Sequence, residues 1–315
     1  MVSVITPSYE RFGALLACVE SVQGSARIPD GGIEIIVVTS GYSKPELETL
    51  RKVGCQVVAL DKPVCTSESR NIGVSTSSGE YLLFLDDDNV VNSNSIWLLW
   101  QSMVAWPEAA VVGPAMYYGA DPNRLWCAGV RRSRLLMKTT LRQHLPEVLP
   151  ERMSSEDLPN CFMVRRSDFY LVNGFDAVRF PQQWEEADLA RRLAWSTGGQ
   201  VYVIPSARIW HHIETQLARR LHLRNAPRAY LCARGRAMFT ATHGDGLQWV
   251  VYLVAAQWMF AALYLGAALW LPSHQRKGVV DGYLRGLWAG LIDGWRARAK
   301  GRAPAPAQLS GKTRR

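Results

Sequence analysis

The sequence has little of what would staple a small or extracellular fold. Its six cysteines (Cys18, Cys55, Cys65, Cys127, Cys161 and Cys232) are scattered, with no CxxC pair and no short Cys/His spacing. That excludes a disulfide framework and a zinc ribbon, and leaves the thiols as small, reduced, apolar side chains. The opening Met1-Val2-Ser3-Val4-Ile5-Thr6-Pro7 has neither a basic stretch nor the apolar run of a secretory signal, so the front of the chain is expected in the cytoplasm. Internal repeats, heptads and a Gly-X-Y period are also missing. Charged residues are only 20% and apolar types 48%, a balance that argues for a globular chain. The 36 Lys and Arg exceed 27 acids by +9, yet no zinc spacing or RNP-like aromatic motif accompanies them, and nucleic acid is not an expected partner.

The charge is unevenly placed, with most of the excess beyond residue 216. Twelve tryptophans are present, and Trp249, Trp258, Trp270, Trp288 and Trp295 crowd the last quarter. The first 115 residues alternate short β-branched runs with helical patterns. Strands are predicted at Val2–Thr6, Ile33–Thr39, Gln56–Leu60, Tyr81–Leu85 and Ala110–Gly113, and helices at Ala14–Val22, Pro45–Lys52, Ser67–Ser75 and Ile96–Met103. Such alternation implies a parallel sheet with right-handed crossovers, whose ligands sit beyond the carboxyl ends of the strands. Residues 116–215 are irregular and proline-rich, closed by a helix at Ala187–Ser196 and a strand at Gln200–Ile204.

Tyr81-Leu82-Leu83-Phe84-Leu85 runs straight into Asp86-Asp87-Asp88-Asn89. Three adjacent carboxylates repel one another, and two readings follow. They can hold a hard divalent cation together with phosphate oxygens, or form a solvated Asp-rich turn capping the next helix.

The surrounding residues resemble family 2 glycosyltransferases. Val2-Ser3-Val4-Ile5-Thr6-Pro7-Ser8-Tyr9 is similar to that family's opening strand. Ser69-Arg70-Asn71-Ile72-Gly73, Ser78-Gly79-Glu80-Tyr81 and the Phe-Leu-Asp-Asp-Asp run resemble its central segment. Asn173-Gly174-Phe175-Asp176, Trp184-Glu185-Glu186-Ala187-Asp188-Leu189, Arg192-Leu193, Pro205-Ser206-Ala207 and His211 follow in its order. The likeness covers roughly residues 1–215. It implies a GT-A-like α/β fold: a mixed, mostly parallel, Rossmann-like sheet with helices on both faces. It also implies a nucleotide-sugar donor, Mg²⁺ or Mn²⁺, and inversion at the anomeric carbon. Residues 1–115 would form the donor half and 116–215 the acceptor half.

Carried over by motif, Asp88 would ligate the metal with Asp86 and His211, although the neighbouring His212 leaves that last assignment open. Asp86 and Asp87 would reach the donor, as would Pro7, Tyr9, Arg70 and Asn71. Glu186 stands where the family commonly has Asp as the base, with Glu185 and Asp188 as alternatives. The same three acids would also favour the N-terminus of a helix. Asn160 and Trp184 would line the acceptor. Where the family has a base-recognising Asp after its second strand, this chain has Thr39-Ser40, with Glu10 a compensating candidate.

Beyond the likeness, Arg219–Arg236 holds six Arg and no acid, in a basic segment expected to span 216–246. Leu247–Leu271 then runs 25 residues without a charge, enough for a bilayer core of about 30 Å. Val279–Trp295 carries Gly282, Gly286, Gly290 and Gly294 at every fourth position, a stripe that lets another helix approach closely. Helices across 247–299 are expected to associate with the membrane, and 300–315 to be a disordered basic tail. With basic residues on both flanks, a hairpin or re-entrant arrangement fits better than a simple span. The function expected is sugar transfer from a nucleotide donor to a hydroxyl of a lipid-linked glycan, in surface-polysaccharide or glycoprotein-glycan assembly, at the cytoplasmic face of the membrane and its anionic lipids. The alternatives are a polyprenyl-phosphate sugar synthase and a non-catalytic membrane scaffold that keeps the fold.

Overall fold

The structure, a computed structural model, describes residues 1–212 and 225–299. The expected tail at 300–315 and Arg219, Arg220 and Arg224 of the basic segment lie outside the described residues. The N-terminal part alternates as the sequence predicts: β1 (Val2–Tyr9), α1 (Phe12–Gln23), β2 (Ile33–Ser40), α2 (Lys44–Lys52), β3 (Gln56–Ala59), α3 (Thr66–Thr76), β4 (Tyr81–Leu85), β5 (Asn89–Val91) and α4 (Ser95–Ala105). Then come β6 (Ala109–Tyr118), β7 (Asp121–Cys127), β8 (Val130–Arg132), β9 (Thr139–Leu141), β10 (Met153–Ser155), β11 (Cys161–Arg165), α5 (Arg166–Leu171), α6 (Glu185–Thr197) and β12 (Gln200–His211).

The main path of the large sheet runs β3-β2-β1-β4-β11-β6-β12-β10. Strands β3, β2, β1 and β4 pair in parallel, as do β6 and β12, whereas β11 lies antiparallel to both β4 and β6. The sheet is therefore mixed and mostly parallel. Burial on both faces follows from side-chain alternation. Leu83 and Leu85 of β4 join Val2, Val4 and Val37 in one core with α1 and α4, while Leu82 and Phe84 join Ile5, Ile36 and Leu189 in the other with α6.

Strand β6 continues past Gly113 because its proline is tolerated. Pro114 pairs with Ile204, where the register shifts, and β12 bulges out through Pro205-Ser206-Ala207 before pairing resumes at Arg208. A bulge is where a strand can lack an N–H. The resumed pairing carries β12 on to His211, opposite Asn89 of β5.

Three helices follow: α7 (Ala226–His243), α8 (Gly246–Ala268, with a π turn over Tyr252–Ala256) and α9 (Ser273–Ala299). The glycine stripe of α9 meets α7. A Cβ on Gly282 or Gly286 would fall against the backbone of Ala226 or Tyr230, and on Gly290 or Gly294 it would lie 2.8 or 2.9 Å from the Cβ of Ala237 or Ala241. The numbers rise together, so α7 and α9 run parallel, with α8 returning between them. Helix α8 is long and apolar enough to cross a membrane, at mean hydropathy 1.7 with a third of it buried.

Replacing Gly286 by Leu should force α7 and α9 apart and cost about 3 kcal/mol or more, the upper end of overpacking penalties. Gly266→Leu, where a Cβ meets open space, should change little. Denaturant unfolding of the whole chain in detergent compares the two.

Candidate active site

The carboxyl ends of β1, β2 and β4 open toward one end of the sheet. Ser8 and Thr39 are buried there, Pro7 is half-buried, and Tyr9 and Glu10 are exposed at the rim. The chain turns at Glu10 (φ 52°), against Gly41 (φ 78°), whose missing Cβ leaves room for the Glu10 and Tyr9 side chains. Beside them the aspartate triplet fans out, and each carboxylate has its own partners.

Asp87 is buried. It accepts from the Ser8 hydroxyl at 2.5 Å, which is also 2.6 Å from the Tyr42 hydroxyl, and pairs with Arg11 Nη1 at 2.9 Å. Burial pushes its carboxyl up to about 6 despite Arg11 and Ser8. Arg11 Nη2 also reaches Asp88 Oδ2 at 3.0 Å, so one half-exposed guanidinium spans two acids. Nothing in the sequence around Arg11 marks it as a site residue. It follows an ordinary strand end, and its carboxylate partners are 76 and 77 residues away.

Asp88 faces His211, whose Nε2 lies 3.3 Å from Asp88 Oδ1. The backbone N–H of His212 donates to the carbonyl of Asp88 at 2.9 Å. That bond fixes which of the two histidines turns inward. His211 is buried against Trp126, with ring centroids 4.7 Å apart, whereas the His212 ring lies over Gly119. Burial opposes ionisation of Asp88, but His211 and Arg11 outweigh it and hold the carboxyl at about 2.

Arg70, on α3, is completely buried. Its Nη2 binds Asp86 Oδ1 at 2.7 Å and Glu186 Oε1 at 2.8 Å, and its Nη1 lies 3.4 Å from Glu185 Oε1. The guanidinium rests 5.3 Å from the Phe175 ring, part of an aromatic group with Phe84, Phe162 and Phe169. One cation thus gathers three carboxylates, one from the end of β4 and two from the first turn of α6. Burial, with Glu185 and Asp86 beside it, raises Glu186 to about 8, against the pull of Arg70 and of the Asn160 N–H.

Asn160 (φ 62°) links the parts. Its N–H donates to Glu186 Oε1 at 2.9 Å, its carbonyl accepts from the N–H of Asp86 at 3.0 Å, and its amide nitrogen stands 3.1 Å from His211 Nδ1.

Two residues expected in the site lie elsewhere. Asn71 spends its amide on the backbone of Phe175: Nδ2 donates to the carbonyl at 2.9 Å and Oδ1 accepts from the N–H at 3.0 Å. It clamps the Asn173-Gly174 turn, in which Gly174 (φ 65°) leaves no room for a Cβ beside Asn71 and Phe169. Asp188 points away from Glu186. It is buried between Arg192 Nη2 at 2.6 Å and His243 Nε2 at 2.7 Å, and these partners overcome burial and lower its pKa. The candidate base is therefore narrowed to Glu185 and Glu186, and Glu186 has the more open side chain, 18% against 7%.

Gln183 and Trp184, which enter α6, both adopt positive φ (64° and 69°). Two such non-glycine residues are strained and need neighbours to hold them. Helix α7 supplies these: the Trp184 ring packs at a tilt 5.1 Å from Phe239 and lies over Gly235, where a Cβ would approach its Cδ1 to 2.5 Å. The C-terminal helices thereby brace the turn from which Glu185 and Glu186 start.

Do these residues fit a divalent cation? Asp88 Oδ1 is sealed from solvent with no hydrogen-bond partner among the described residues, and it faces an imidazole nitrogen. No three His, Cys, Asp or Glu side chains converge into a closed cage among the described residues. A seat of one or two protein ligands is what Mg²⁺ or Mn²⁺ uses when phosphate oxygens and water complete the shell, so the donor set fits.

Arg70→Met should destabilise the protein by about 3 kcal/mol or more at pH 8, because it strands carboxylates in a poorly hydrated place. At pH 5 the loss should shrink, since Glu185 and Glu186 can then bind protons in the folded state. Unfolding curves at the two pH values test the sign.

Comparison with known proteins agrees with this architecture. A family model described as glycosyl transferase family 2 matches residues 3–169. A Haemophilus influenzae protein named an uncharacterized glycosyltransferase is 36% identical over 96 residues, 28% of this chain and 30% of that one. Glycosyltransferase GlyG of Streptococcus pneumoniae is 27% identical over 128 residues, 39% of this chain and 41% of its own. The chain thus spans less than half the length of these two relatives. The N-acetylglucosaminyl-diphospho-decaprenol L-rhamnosyltransferase of Mycobacterium tuberculosis is 26% identical over 231 residues, covering 65% of this chain and 72% of that protein. The crystal structure of GalNAc-T7 with UDP, GalNAc and Mn²⁺ superposes with a TM-score of 0.61 at 16% identity, over 97% of this chain and 58% of the other, and so shares the GT-A fold. The family match over more than half of its residues, the relatives named as glycosyltransferases and the shared fold place this chain in glycosyl transferase family 2, as a transferase enzyme.

Proposed function

We propose that the enzyme transfers a sugar, with inversion, from a nucleotide-sugar donor to a hydroxyl of a lipid-linked glycan at the cytoplasmic face of a membrane. The observation that carries this reading is the placement of Glu186 on the same guanidinium as Asp86, two residues from the Asp88–His211 seat. Asp88 and His211 would hold Mg²⁺ or Mn²⁺, which supplies charge compensation for the departing nucleoside diphosphate. Ser8, Thr39, Asp86 and Asp87 border the space left for the nucleoside, with Tyr9 and Glu10 at its rim. Arg11, half-exposed on Asp87 and Asp88, neutralises them in the free enzyme and can turn toward a diphosphate. Glu186, with its raised pKa, accepts the proton of the attacking hydroxyl, and Arg70 and the Asn160 N–H stabilise its ionised form.

Membrane attachment rests on the surfaces of α8 and α9. Val250, Val254, Trp258 and Leu263 recur at helical spacing on the exposed side of α8, and Leu284, Trp288 and Trp295 on that of α9. Helix α8 lies along α7 and α9, and both carry charges along their length, including the Arg234–Asp293 and Arg285–Asp281 pairs. A span would drag these into hydrocarbon. An in-plane, interfacial bundle keeps them in the headgroup layer. The lipid-linked acceptor is supported by this surface and by the decaprenol-linked substrate in the name of the mycobacterial relative.

Nucleoside diphosphate release from a panel of nucleotide sugars, with membrane lipid extract and Mn²⁺, tests the reading. Glu186→Gln should lower transfer by roughly 10²–10⁴-fold, the usual worth of a general base, with nucleotide binding unchanged. A near-normal rate would favour an acceptor phosphate, already ionised and needing no base. In the wild type, kcat/KM should fall about tenfold per pH unit below about 8 and level off above it, since the base must be deprotonated.

A further inference from the structure

Arg236, on α7, is partly buried and has no carboxylate partner among the described residues. Its neighbours differ: Arg234 pairs with Asp293, Arg132 with Asp157, and Arg70 with three acids. The Arg236 guanidinium lies 3.9 Å from the centre of the Phe260 ring, 5.0 Å from Trp184 and 5.9 Å from Tyr264. One weak bond runs from Nη2 to the Tyr264 hydroxyl at 3.4 Å. Cys232, one turn earlier on the same helix, is a second and weak acceptor, and no Arg236 nitrogen is among those sealed from solvent without a partner. An open edge of a cation therefore stands between aromatic walls.

Aromatic faces attract a guanidinium but supply no hydrogen-bond acceptors for its in-plane N–H groups. An anion at the open edge would give them, in the geometry that suits phosphate oxygens. The walls say what else the anion must carry. One is Trp184, which leads directly into Glu185 and Glu186. The other is formed by Phe260 and Tyr264 of α8, whose opposite side exposes Val254, Trp258 and Leu263. A molecule with a sugar at one end, hydrocarbon at the other and phosphate between them matches this order.

We propose that Arg236 binds the phosphate or diphosphate of an isoprenoid-linked acceptor, with Trp184 at its sugar side and α8 at its lipid side. The inference rests on the acceptor reading above but names a site outside the aspartate cluster. It makes Arg236 an acceptor-binding residue.

Binding to the full chain in detergent micelles tests it, followed through tryptophan fluorescence with EDTA present so that the aspartates cannot take a diphosphate through metal. The probes are farnesyl diphosphate and farnesol. Arg236→Gln should weaken farnesyl diphosphate by about tenfold or more, the usual worth of a charge-assisted pair, and leave farnesol unchanged. Arg236→Lys should fall between Gln and wild type. Binding of a nucleoside diphosphate with Mn²⁺ should be intact in every variant, which reports folding, and Arg236→Met gives the same comparison should the Gln variant fail that control. Equal affinity of wild type and Arg236→Gln for farnesyl diphosphate, or equal weakening of farnesol, would overturn the proposal. So would loss of binding to phosphatidylglycerol vesicles with farnesyl diphosphate retained, since Arg236 would then serve bulk lipid headgroups. Because no transfer step is measured, these results stand apart from the turnover assay. An enzyme that glycosylates lipid extract normally as Arg236→Gln loses only this site, and one that binds farnesyl diphosphate through Arg236 without turnover loses only the reaction.

Discussion

Arg70 carries a positive charge into a region that water does not reach, and Asp86, Glu185 and Glu186 share it. Two carboxylates about 4 Å apart repel by roughly 4 kcal/mol at an effective dielectric near 20, so the three could not gather without the guanidinium. Asp86 comes from the end of β4 and the glutamates from α6, some hundred residues later. The ion cluster therefore joins the end of β4 to the start of α6. It also leaves a surplus of negative charge, which adds to burial in raising Glu186 and suits the neighbouring aspartates to a cation.

The remaining site geometry follows from how β4 and α6 are held. Asn160 connects Asp86, Glu186 and His211 by one backbone N–H, one carbonyl and one side chain. Strand β12 delivers His211 by continuing past its bulge until it pairs with β5. On the far side of α6, the buried Asp188–His243 bond and the Trp184–Phe239 ring contact tie its first turn to α7. The C-terminal helices thus brace the helix that bears the candidate base as well as presenting an apolar surface.

Much of this was legible in the residues. The β-branched runs of β1, β2 and β4 marked buried strands, because burial on both faces leaves little choice of side chain. Asp86-Asp87-Asp88 announced a charged strand end, and the every-fourth glycines of α9 announced a helix–helix contact, for which α7 proves to be the partner. Pairings made at long range were not legible. Asn71 looks like a donor ligand until its two bonds to Phe175 are seen. Asp188 sits in a run of acids that one helix turn divides between two environments. Arg11 is unremarkable without the fold that lays it over Asp87 and Asp88, and Pro114 looks like a strand end unless the bulge opposite it is known.

The account depends most on a cation seated between Asp88 and His211, next to a glutamate held by Arg70. The measurement that tests this directly is a crystal structure with Mn²⁺ and a nucleoside diphosphate, the metal located by its anomalous signal. Manganese bonded to Asp88 and to diphosphate oxygens, beside His211 and with Glu186 still on Arg70, is the predicted result. A metal bound elsewhere, or aspartates turned out to solvent with the diphosphate away from them, would contradict it.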